Sequence, residues 1–122
     1  MTDTIQTLLR RNLHEVFGTR DTARRRAAIE ALYDPAATFV DHGGTHAGWD
    51  AIDAAAASVQ AATPGFIFAE DGDMQVVGDL ADGAGRVAWT YGPAEDKRRV
   101  TGADLVLVRN GRILALSAVL HR

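Results

Sequence analysis

The chain has 122 residues, with 16 acidic against 13 basic side chains and a formal net charge of −3. That length suits one domain with a real core, and the slightly acidic balance argues against nucleic acid or an anionic membrane as the main partner. Cysteine is absent, which excludes a disulfide framework, thiolate chemistry and a zinc–cysteine site.

Residues from about Asp3 to Phe17 predict a first helix. Ile5, Leu8, Leu9, Leu13, Val16 and Phe17 recur at spacings of three and four, Asp3 or Thr2 is placed to cap the start, and Gly18 stops it. Asp21-Thr22 opens a second helix to about Leu32, with Ala27, Ala28, Ile29 and Leu32 as its apolar side. On this helix Arg24-Arg25-Arg26 reads as a solvated face. Tyr33-Asp34-Pro35 ends it, because the residue before proline avoids the helical region. A short strand, Thr38 to Asp41, points Phe39 and Asp41 one way and Val40 and His42 the other. Gly43-Gly44 breaks it, and His46-Ala47-Gly48 leads into a third helix, about Trp49 to Ala62, with Ile52, Ala55, Ala56 and Val59 inward. Thr63-Pro64-Gly65 closes that helix.

The remainder reads as strand and turn. Phe66 to Glu70 and Met74 to Leu80 make one long bent strand or two, with a bulge expected at Asp71-Gly72-Asp73. Asp82-Gly83 is expected to turn the chain. Arg86 to Tyr91 follows, with Val87, Trp89 and Tyr91 on one face, and Gly92-Pro93 through Lys97 is a loop. Two β-rich runs then flank Asn110-Gly111, the pair that fits a two-residue type I′ turn. Such a turn pairs Arg109 with Arg112 and sets Asp104 opposite Ser117. Asp104, Val106, Val108, Ile113, Ala115, Ser117 and Val119 then share one face; Leu105, Leu107, Leu114, Leu116, Ala118 and Leu120 share the other. Both faces are apolar, so both are expected to be covered, one by the helices and one by a partner. The order helix, helix, strand, helix and antiparallel strands predicts an α+β fold, a curved sheet with helices packed on one side.

The sequence resembles the NTF2-like superfamily, in its SnoaL-like and ketosteroid-isomerase-like branch. Tyr33-Asp34-Pro35-Ala36-Ala37-Thr38-Phe39-Val40-Asp41-His42 is similar to the family's exit from helix two and first strand. His46-Ala47-Gly48-Trp49-Asp50-Ala51-Ile52 is similar to its turn into helix three, and Ala103-Asp104 through Asn110-Gly111-Arg112-Ile113 to its final hairpin. The resemblance covers about Ile5 to Leu120. It implies one NTF2-like cone over residues 1–122, a curved, mostly antiparallel sheet wrapped around three helices, with a pocket inside. It also implies roles for two acids. Asp41 falls where ketosteroid isomerases hold the proton-moving aspartate, and Asp104 where they hold a protonated aspartic acid in the oxyanion hole. The tyrosine that completes that set is missing; its position falls near Leu13, beside His14.

From these readings the expected activity is cofactor-independent acid–base catalysis (isomerisation, cyclisation or water addition) on a small apolar molecule. Asp41 would be the base and Asp104 the acid or oxyanion donor. Phe39, Trp89, Tyr91, Val106, Ser117 and Leu13 are the expected pocket walls. In an epoxide-hydrolase variant Asp41 activates water and Asp104 protonates the epoxide oxygen. The rival from another class is a non-catalytic ligand-binding or dimerisation domain. Read bland, Asp41 is a turn residue bonding the amides of Gly43 or Gly44, and His42 is a rim residue. His42, His46 and Asp41 do not form a metal motif, since the segment lacks helical i, i+4 spacing and a second ligand cluster. No cofactor is expected. A homodimer through the outer sheet face is expected. Met1 to Gln6 is polar and no apolar run spans a bilayer, so no signal peptide or membrane contact is expected and the cytoplasm is the default location.

Overall fold

A computed structural model describes residues 3–121. The first helix, α1 (Ile5–Arg11), is capped by Thr4, whose hydroxyl accepts from the Thr7 amide. Asp3 is therefore not the cap, and Thr2 lies outside the described residues. The helix continues as a π-helical stretch, Asn12–Phe17. Leu8 and Leu9, Asn12 and Leu13, Val16 and Phe17 repeat every four residues, and all six are buried. On a straight α-helix a four-residue repeat drifts by about 40° per step; a wider turn keeps the pairs on one side.

The second helix, α2 (Thr22–Leu32), starts at Asp21, which accepts from the Arg24 amide. It buries Arg25, Ala28, Ile29 and Leu32, an i, i+3, i+4, i+7 stripe. Ala27 faces outward, contrary to expectation. Arg25 is not on the solvated face: it lies inside that stripe, donates to the Thr19 carbonyl and sits 3.7 Å from Asp53. The third helix, α3 (Trp49–Ala62), has the expected bounds.

The strands are β1 (Tyr33–Asp41), β2 (Gly44–Ala47), β3 (Ile67–Glu70), β4 (Gln75–Gly78), β5 (Asp82–Gly92), β6 (Val100–Arg109) and β7 (Arg112–Leu120). They form one curved, unclosed sheet in the order β2-β1-β7-β6-β5-β3, with β4 also paired to β5; only β1 and β7 run parallel. The helices pack on its inner face, α1 over β5 and α3 over β1, around a core that includes Leu9, Ile29, Tyr33, Ile52, Val87 and Ile113. This is the α+β cone expected. As expected too, β3 and β4 lie end to end along β5, with a bulge between them at residues 71–74.

Three local expectations change. The first strand begins at Tyr33 rather than Thr38, and β2, which the sequence reading missed, folds back on it. The chain reverses at Asp79, whose side chain accepts from the amides of Ala81 and Asp82, so Asp82-Gly83 lies inside β5. Gly83 and Gly85 are there for close approach: a Cβ would meet Ile5 at 2.6 Å and 2.8 Å respectively, so α1 lies directly on the strand. The hairpin has the expected turn, with φ of 55° at Asn110 and 80° at Gly111, and pairs Arg109 with Arg112. Its register then slips. Val108 pairs with Ile113 but Leu107 with Ala115, leaving Leu114 as an extra residue. Asp104 therefore faces Ala118, not Ser117, and beyond the bulge Leu116, Ala118 and Leu120 turn inward while Ser117 and Val119 turn out.

Candidate functional site

Between α3, the π-helical stretch and the inner sheet face lies a cavity of about 470 Å³, within the usual range of about 300–1,000 Å³ for small-molecule sites. Its walls are largely aromatic. Phe68 stacks on Tyr91 with ring centres 3.9 Å apart and meets Trp89 edge-on at 5.3 Å, while Phe17 packs on Phe39 at 4.9 Å. Leu13 and Val59 add aliphatic surface.

Asp104 projects from β6 into this wall and is only 5% exposed. Its Oδ1 accepts from Trp89 Nε1 at 3.0 Å, and its Oδ2 faces Asn12 Nδ2 at 3.5 Å. Asn12 is oriented in turn by the buried Tyr33 hydroxyl, which donates to its Oδ1. Burial disfavours the carboxylate and pushes the acid up to about 7, although the bonds from Trp89 and Asn12 pull it down. Burial, with the nearby Asp104 charge, also holds the Tyr33 phenol well above its ordinary range. Near neutrality Asp104 thus exists in both forms, and its neutral form can donate a hydrogen bond. Trp89 reaches it because Gly102 is opposite: a Cβ there would lie 2.6 Å from the indole ring.

Asp41 ends β1 at the cavity rim. Its Oδ1 accepts from the Gly43 amide at 2.9 Å and from His46 Nε2 at 3.2 Å. The bland reading, a turn aspartate, thus describes one of its oxygens; no hydrogen bond occupies Oδ2 among the described residues. The Asp41 bond fixes His46 with its proton on Nε2, and the ring stacks on Phe39 at 5.6 Å.

The sheet register relates the two acids. Val40 pairs with Ser117, which places Asp41 at the level of Ala118, and Ala118 pairs with Asp104. Asp41 and Asp104 thus flank Ala118 on one face, their backbones two strand spacings, about 10 Å, apart. The methyl group of Ala118 leaves the space between them open.

Of the residues singled out from sequence, Asp41, Asp104, Leu13, Phe39, Trp89 and Tyr91 all line the cavity. Val106 is buried beyond its wall, and Ser117 is on the outer face because of the bulge. His42 lines the mouth and is exposed. His14 points away from the cavity and bonds Glu70 at 2.9 Å. Sequence reasoning missed Asn12, Thr63 and Ala118, and weighed His46 beside Asp41 only as a metal ligand. Only Asn12 carried a signal, as a polar residue inside a four-residue apolar repeat. Among the described residues no group of three His, Asp or Glu side chains has metal-binding geometry, and no helix is long and apolar enough to cross a membrane.

No curated protein sequence matches this chain significantly. Solved structures do. A candidate isomerase of the SnoaL-like family from Agrobacterium tumefaciens aligns with a TM-score of 0.85 at 21% identity, covering 96% of this chain and 97% of that one. An NTF2-like protein of unknown function from Mesorhizobium loti aligns with a TM-score of 0.65 at 24% identity over 93% and 88% of the two chains. A candidate polyketide cyclase from Sinorhizobium meliloti gives 0.62 at 19% identity over 88% and 90%. At these identities the structures establish the fold alone. The sequence itself goes further: residues 11–116 match the SnoaL-like domain, and the chain belongs to that family, within the NTF2-like superfamily.

Proposed function

We propose that this protein is an acid–base enzyme that moves a proton next to the carbonyl group of a small, apolar substrate held in the cavity. The observation that carries the reading is the pair of carboxyl groups flanking Ala118 in unlike surroundings: Asp104 buried among aromatic rings, Asp41 at the rim with one oxygen held by Gly43 and His46. A carboxyl group whose acidity burial weakens, set across Ala118 from one at the rim, suits a division of labour between acid and base. Asp41 Oδ2 takes the proton from the carbon next to the carbonyl. As negative charge develops on the carbonyl oxygen, the neutral Asp104 donates its O–H to it. Asp41 then returns its proton to carbon, at the same atom or a neighbouring one. His46 acts as a positioning residue, holding the carboxylate through Oδ1.

The test is deuterium uptake from heavy water into the acetyl group of 2-acetylnaphthalene, followed by NMR, a probe that asks only for proton abstraction. Exchange above the buffer rate is expected. Asp41→Asn should lower it by roughly 10²–10⁴-fold while leaving the Kd for the same ketone nearly unchanged. Binding without exchange would instead favour a ligand-binding domain, and exchange indifferent to Asp41→Asn would remove Asp41 as the base.

We further propose that two copies pair through the outer sheet face. Leu105, Leu107 and Val119 are exposed side by side there, and such a patch is self-complementary about a two-fold axis. A monomer in sedimentation at micromolar concentration would count against it.

A further inference from the structure

The cavity has a second polar station that the acid–base chemistry does not use. Tyr91 lies on β5 four residues beyond Val87, the residue paired with Asp104, so it sits about 13 Å further along the strand. Its hydroxyl meets that of Thr63, which follows α3, and both residues line the cavity. The direction of this bond is fixed by chemistry. Thr63 Oγ1 lies 2.6 Å from the Val59 carbonyl, which can only accept, so the single threonine proton is committed there. Thr63 is left as an acceptor toward Tyr91, and Tyr91 must donate. The tyrosine oxygen then keeps only lone pairs. Its ring cannot swing away to change this, since Phe68 stacks on one face and Phe66 meets it edge-on at 5.1 Å.

We propose that the Tyr91–Thr63 pair is a substrate subsite that accepts a hydrogen bond, so that the substrate is an apolar carbonyl compound bearing a hydroxyl or N–H group at the end remote from the carbonyl. The inference rests on the reading of the cavity as a carbonyl site under Asp104. A group that only accepts, such as an ether or a second ketone, would face the tyrosine lone pairs with no proton between them. A site built to pair with a donor rejects the analogue lacking it because its own polar atom is left unpaired.

Three rigid ketones that differ at one position test this: 6-acetyl-2-naphthol, its methyl ether, and 2-acetylnaphthalene, with Kd read from ligand fluorescence. The wild-type protein should bind the naphthol roughly tenfold or more tightly than either of the others. Thr63→Val removes the acceptor, frees the tyrosine proton to point into the cavity, and should raise affinity for the methyl ether relative to the naphthol. Equal affinities for all three in the wild type, or a preference for the ether, would overturn the subsite while leaving the carbonyl site standing. If none of the three binds, the carbonyl reading and the subsite fall together. An unchanged preference in Thr63→Val would overturn the assigned direction of the hydrogen bond.

Discussion

The buried acid should make stability depend on pH in a way that one substitution removes. Asp104 moves from its ordinary 3.8 to about 7 on folding. Between those values the folded protein holds a proton that the unfolded chain has released. Stability contributed by the neutral acid is complete below about pH 4 and is lost as pH rises through 7. At about 1.36 kcal/mol per pH unit, the move from 3.8 to about 7 amounts to roughly 4 kcal/mol. Asp104→Asn replaces the acid with a group of the same shape that cannot ionise. Its amide meets Asn12 differently, which adds an offset, but that offset does not change with pH. The assay is urea unfolding of both proteins at intervals from pH 4 to pH 8. The difference between variant and wild type should move in the variant's favour by roughly 4 kcal/mol across that range, because contributions from the other titrating groups cancel. A difference that stays constant from pH 4 to pH 8 would refute the buried, proton-holding acid.

Other consequences follow from the same geometry. If neutral Asp104 donates to the substrate, kcat/KM should fall as pH rises through about 7, and Trp89→Phe, which removes a bond that favours the carboxylate, should move that fall to higher pH; a pH profile with an unmoved limb would contradict the Trp89 contact. Gly102→Ala puts a methyl group 2.4 Å from the Val119 carbonyl and 2.6 Å from the indole. It should cost about 1–3 kcal/mol in thermal or urea unfolding and shift the Trp89 fluorescence, whereas an unaltered emission spectrum would show that the ring does not lie there. Leu107→Asp, on the exposed sheet face, should turn a dimer into a monomer in sedimentation with little change in far-UV circular dichroism; a variant that stays dimeric would send the interface elsewhere.

Much of the fold was legible because its signals are local. The three- and four-residue spacing of the first helix, the Asn110-Gly111 turn and the alternation of Val87, Trp89 and Tyr91 each specify an element without help from the rest of the chain. What was lost depended on one-residue offsets and on distance. The bulge at Leu114 leaves no composition signal, yet it exchanges the faces of everything after it, moving Ser117 out and Ala118 in. Gly83 reads as a turn residue because glycine has two uses, and only the position of α1 over β5 shows which applies. The site was half legible. Asp41 and Asp104 stood out as acids at the ends or on the faces of strands. Their partners, Asn12, Trp89 and His46, come from three separate elements, and a pairing such as Asn12 with Asp104, 92 residues apart, has no local signature.

The most direct test of the account is the titration of the Asp104 carboxyl carbon by carbon-detected NMR, with the resonance assigned by its disappearance in Asp104→Asn. The account predicts a midpoint near 7. A midpoint within the ordinary carboxylate range, about 3–4.5, would place the side chain in water and leave the cavity without its acid.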